Sequence, residues 1–145
     1  MEIIWHYTTI EKLESITKDK MLKVSEVERK FGLKPALWFS KNDFWEPTAT
    51  KMLSDGRWLT IEEHYEKLGM IRIAIEFNKQ LVSWGRYKYE SKINPLLHKT
   101  MEESGIEKGG NPRDWFCSFN NIQVEKFLDI EQYDGQKWVS IVEAD

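Results

Sequence analysis

The chain predicts an α+β fold: compact, built on a mainly antiparallel sheet, with about three short helices. Three observations carry this. Strand-like runs recur from end to end, at Ile3-Ile4-Trp5-His6-Tyr7, Ala36-Leu37-Trp38-Phe39-Ser40, Met70 to Phe77 and Trp115 to Phe119. Helix starts are marked by caps and fall in the first two thirds of the chain. Helices and strands do not alternate as βαβ units would require, and the chain closes in an apparent hairpin, so antiparallel pairing is expected.

The length of 145 residues predicts one domain over 1–145, and an apolar fraction of 41% is enough for a core. Charged residues make up 31%, yet the net charge is only −3, so no strong field draws the whole protein to DNA or to an anionic membrane. Seven Trp, five Tyr and seven Phe supply rings for a core or for stacking on flat ligands.

In chain order, the first strand gives way to a helix at Thr8. Thr8 with Glu11 has the form of a capping box, and Ile10, Leu13 and Ile16 follow at helical spacing. His6 therefore stands at a strand-to-helix junction, either as a buried, hydrogen-bonded histidine or as a ligand-binding one. Met21-Leu22-Lys23-Val24 reads as a short extended piece. The segment Ser25 to Pro35 has turn character, delivers the chain to the Trp38 strand and could lie over a pocket. Phe44, Trp45, Glu46, Pro47, Thr48 and Ala49 then place rings, a carboxylate and small groups after a strand, as a site wall or as a plug for the sheet end. Pro47 suits a first helical turn.

Ser54 to Trp58 is a turn, and Thr60 with Glu63 repeats the capping-box form ahead of Ile61, Tyr65 and Leu68, with Gly69 as the stop. His64 is expected to be exposed on this helix. Met70 to Phe77 alternates cleanly, with Ile71, Ile73, Ile75 and Phe77 on one face and Arg72, Ala74 and Glu76 on the other. Arg72 would either pair with Glu76 in solvent or bind a pyrophosphate. Trp84 to Tyr89 reads as a loop of interleaved rings and cations that a nucleotide or single-stranded nucleic acid could use. Asn94-Pro95 opens the third helix, which rests on Leu97 and Met101 and ends at Gly105, before a mobile loop from Glu107 to Pro112. Trp115 to Phe119 is a strand. Val124 to Tyr133 and Gln136 to Val142 form a hairpin about a tight turn at Asp134-Gly135.

Cys117 is the only cysteine, which fits a reducing compartment, and no leader or run of about 20 apolar residues is seen. A cytoplasmic protein with no membrane partner is expected. No metal site is expected either, because His6, His64 and His98 are scattered. Neither Ser40 nor Cys117 has the surroundings of a nucleophile.

The His6-Tyr7-Thr8-Thr9 segment, the following helix, the Leu37-Trp38-Phe39-Ser40 strand and the run Trp45-Glu46-Pro47-Thr48-Ala49-Thr50-Lys51 together resemble the ADP-ribosyltransferase superfamily. The likeness is to its histidine-first branch of poly(ADP-ribose) polymerases, RNA 2′-phosphotransferases and toxin-like DNA-modifying transferases. The resemblance implies a split antiparallel sheet and NAD as substrate, with His6 orienting it, Thr8 supplying a hydroxyl and Trp38 or Phe39 packing near the nicotinamide. With Tyr7, Ser40, Phe44, Trp45 and Arg72, these make the expected binding set. A late glutamate would polarise the ribose, and Glu125 falls nearest its place, with Gln123 beside it and Glu76 or Glu46 as substitutes. The acceptor would be a protein, a nucleic acid or a small molecule. Two other classes remain: a binder of NAD, ADP-ribose or a related nucleotide that does not turn it over, and a protein-interaction module on the same scaffold.

Overall fold

Alternating apolar residues on β1 (Ile3–Thr8) and β4 (Ile71–Glu76) build the centre of the sheet in this computed structural model, which describes residues 1–142. The two strands pair antiparallel from Ile3 opposite Glu76 to Thr8 opposite Ile71. With a side-chain period of two, Ile4, Ile71, Ile73 and Ile75 fall on one face. They pack with Leu37 and Phe39 of β3 (Leu37–Ser40) and with Leu13 and Ile16 of α1 (Ile10–Asp19). Ile71 and Ile73 are fully buried, and such side chains each contribute about 1.5–3 kcal/mol.

β2 (Met21–Leu22) leaves this sheet to pair with β7 (Ile122–Gln123). The main sheet is completed by β5 (Val82–Ser83), β6 (Trp115–Ser118), β8 (Asp129–Tyr133) and β9 (Trp138–Ser140) in the order β5-β6-β3-β1-β4-β8-β9. Its neighbouring strands pair antiparallel throughout, and with four α-helices among the described residues the architecture is α+β. The remaining helices are α2 (Ile61–Lys67), α3 (Trp84–Glu90) and α4 (Pro95–Glu107).

The ladder between β1 and β3 is one pair long, Trp5 opposite Ser40. Beyond it the strands part, and the His6 ring spans the gap by donating from Nδ1 to the Trp38 carbonyl at 2.7 Å.

Several local readings are corrected. Thr8 stays in the β1 ladder, so the cap of α1 moves to Thr9, whose hydroxyl accepts from Lys12 N. The capping box with Glu11 does not form. Trp84 to Tyr89 is helix rather than loop, because Ser83 caps it and Trp84 and Tyr87 bury their rings on one side. Gly105 does not end its helix. A Cβ there would lie 2.5 Å from Trp115 Cη2, so the glycine allows close approach, and α4 continues to Glu107. The buried residues of that helix are His98 and Gly105, while Leu97 and Met101 are partly exposed. Val124–Lys126 is a three-ten turn, so β8 begins only at Asp129. The closing hairpin has a four-residue loop, with Tyr133 opposite Trp138 and the Asp134 side chain accepting from Gln136 N and Lys137 N. His64 is fully buried instead of exposed, with its ring edge-on to Trp45 at 4.9 Å.

Candidate functional site

Where β1 and β3 part, a cleft of about 560 Å³ opens between the strands, the Glu46–Lys51 segment and α4. The strands give it Trp5, His6, Tyr7, Trp38, Phe39 and Ser40. Glu46, Thr48, Ala49 and Lys51 form a second wall, and α4 supplies Thr100, Met101, Ser104 and Gly105, with Lys108 at its C-cap. Trp84 and Trp115 also line it. A neighbouring cleft of about 500 Å³, lined by Phe44, Trp45 and Trp58 among others, shares Ser104 and Lys108 with the first.

His6 is half-buried at the cleft wall. Burial lowers its pKa, the Trp38 carbonyl raises it, and Lys51 lowers it further. With the net shift downward from a value already below neutrality, the ring is neutral at pH 7. A carbonyl can only accept, so Nδ1 carries the proton and Nε2 is left as an acceptor.

Glu46 is buried and fully engaged. Its Oε1 accepts from Ser40 Oγ at 2.8 Å and Trp115 Nε1 at 3.2 Å, and its Oε2 from Thr48 N at 3.0 Å and Thr48 Oγ1 at 2.8 Å. A carboxylate offers about four acceptor positions, so the protein fills them. Trp38 donates Nε1 to Glu28 at 2.9 Å, which ties the Glu28–Phe31 turn of the preceding loop to the cleft.

Of the expected binding residues, the structure brings His6, Tyr7, Trp38, Phe39 and Ser40 to one cleft. Phe44 and Trp45 line the neighbouring one. Thr8 is buried in the β1 ladder and lines neither. Glu125 is exposed on its turn, Glu76 is exposed at the end of β4, and neither lines either cleft.

Arg72 is committed elsewhere. Its guanidinium lies 3.8 Å from the Trp5 ring centre and 4.6 Å from that of Trp138. Its Nε and Nη2 reach Glu131 at 2.7 and 2.6 Å, and Nη1 donates to the Asp43 carbonyl. The expected pairing with Glu76 is thus replaced by a largely buried pair across the β4–β8 ladder, and the fork is not turned to a pyrophosphate. The Tyr7 hydroxyl donates to the Asn42 carbonyl, and burial holds its pKa above the ordinary tyrosine value.

Sequence reasoning missed Lys51 as a charged wall and the α4 face of Met101, Ser104 and Lys108. The spacing of that face was visible, but a helix ended at Gly105 cut Lys108 from it. The Cys117 thiol is buried and its pKa is pushed up to about 12, chiefly by desolvation, so it is chemically quiet. Among the described residues no group of three or more His, Cys, Asp or Glu is placed to hold a metal ion, and no helix is long and apolar enough to cross a membrane.

Comparison with protein-family models, curated proteins and solved structures found no match for this chain.

Proposed function

We propose that this chain is an ADP-ribosyltransferase-like protein that binds NAD in the cleft beside His6 and transfers ADP-ribose to an acceptor. The observation that best supports the reading is His6 itself: a neutral ring, fixed by the Trp38 carbonyl, with Nε2 as an acceptor at the wall of a cleft of about 560 Å³. That volume suits a small-molecule ligand. A ribose hydroxyl donates to Nε2, and the ring of Trp38 in the same lining packs near the nicotinamide. Breaking the glycosidic bond passes through an oxocarbenium-like state, which a nearby carboxylate stabilises and excluded water protects. Glu46 lines this cleft, so it replaces Glu125 as the first carboxylate to test.

A second reading follows from the state of Glu46. Its oxygens already accept four protein donors, which favours a binder of NAD, ADP-ribose or a related nucleotide that does not turn it over. Incubation with NAD labelled on the adenylate half, in the presence of protein, RNA and DNA, separates the two. Transfer expects released nicotinamide and labelled acceptor, both sharply reduced in Glu46→Gln and unchanged in Glu125→Gln. Calorimetric binding with no nicotinamide release supports the binder, and no binding of NAD or ADP-ribose overturns both.

A further inference from the structure

We propose that Lys51 and Lys108 form an anion clamp in the cleft, holding the phosphate or diphosphate of its ligand. Both side chains line the cavity, and they arrive from separate segments. The ion pairs formed among the described residues engage Lys23, Arg29, Lys41, Arg57, Arg72 and Arg86, and among those residues neither clamp lysine has a carboxylate within 4.0 Å. Lys108 instead rests its ammonium 3.2 Å from the ring centre of Trp58.

Nothing else in the cleft compensates them. Glu46 is the carboxylate of the lining, and its acceptor positions are filled by Ser40, Thr48 and Trp115. Desolvation lowers the pKa of both lysines, and repulsion from Lys12 adds to the effect at Lys51, so each charged form lacks the counter-charge that would favour it. A ligand anion supplies that charge. The protein as a whole carries −3, so two cations without carboxylate partners at one cleft, Lys51 exposed and Lys108 resting on a ring, run against the overall sign. The hydroxyl of Ser104 stands in the same lining to donate to a phosphate oxygen, whereas those of Thr48 and Thr100 already donate to Glu46 and to the Leu96 carbonyl. The proposal rests on the nucleotide reading for the rest of the ligand, and on the lysines alone for the anion.

Calorimetric titrations with inorganic pyrophosphate, ADP-ribose and uncharged adenosine, at low and high salt, test it on the full chain. Pyrophosphate and ADP-ribose are expected to bind more tightly at low salt. Lys51→Gln and Lys108→Gln should each weaken both ligands by about tenfold or more, the usual effect of losing one charged hydrogen bond. Lys108→Arg should retain binding, and Lys88→Gln, on the exposed side of α3, should change nothing. Circular dichroism and thermal unfolding establish that each variant is folded. If ADP-ribose binds but the lysine variants and salt leave it unaffected, the clamp is overturned and the nucleotide reading stands. If pyrophosphate binds through the lysines while ADP-ribose does not, the clamp stands and the nucleotide reading falls. Absence of binding by any probe overturns both.

Discussion

Removing the His6 ring takes away the bond to Trp38 and the acceptor at the cleft wall together, so His6→Ala is expected to weaken NAD or ADP-ribose binding by about 1–3 kcal/mol. Calorimetry on folded protein checks this, and unfolding with normal binding by the refolded fraction would assign the ring to structure alone. His64 is the opposite case: it is fully buried and neither ring nitrogen meets a partner. His64→Leu should therefore raise stability at neutral pH by about 1–3 kcal/mol, read by urea unfolding, because it removes a buried polar group without stranding another. The pH dependence has a defined sign. Burial lowers the pKa of His6 and His64, so the unfolded chain binds protons before the folded one. Their contribution to stability is complete above the ordinary histidine value of 6.5 and is lost as the pH falls below it toward their folded values. Unfolding midpoints on the acid side should fall less steeply in His64→Leu. His6 was legible because a junction histidine stands out between a strand and a cap. His64 was not, since its helix carries mostly polar neighbours and its burial comes from Trp45, distant in sequence.

At the scale of elements, α4 is set against the sheet by the absence of a side chain. Gly105→Ala would place a Cβ 2.5 Å from Trp115 Cη2, and that ring is buried and bonded to Glu46, so it has little room to yield. Alanine favours a helix by about 1 kcal/mol over glycine. The clash costs about 1–3 kcal/mol, so a net loss of stability and weaker binding in the cleft are expected together. Denaturant unfolding and ligand titration of the same variant check both. Strands with clean alternation, such as Met70 to Phe77, were legible, as was the Thr60–Glu63 capping box. The helical state of Trp84 to Tyr89 was not, because its inward rings at Trp84 and Tyr87 sit among outward cations and a glycine, and only tertiary burial separates the two sets. The Val124–Lys126 turn was hidden for a related reason: an alternating run does not reveal where pairing begins.

For the whole molecule, the α+β class and the antiparallel sheet followed from pattern. The cleft's far wall was less visible, because α4 reaches it from more than half the chain away and pattern within a segment says nothing of such encounters. The single residue pair between β1 and β3 has a mechanical meaning. On one side, β5, β6 and β3 form a short blade, and on the other, β1, β4, β8 and β9 form a second, with His6 as the fastener where the hydrogen-bonded ladder has run out. Amide hydrogen exchange along this seam should be faster than along the six-pair ladder of β1 and β4, and faster still in His6→Ala. A ligand gripping the free nitrogen of that same ring would thus press on the hinge of the sheet, and the protein would sense occupancy of its cleft as a change in stiffness between its two blades.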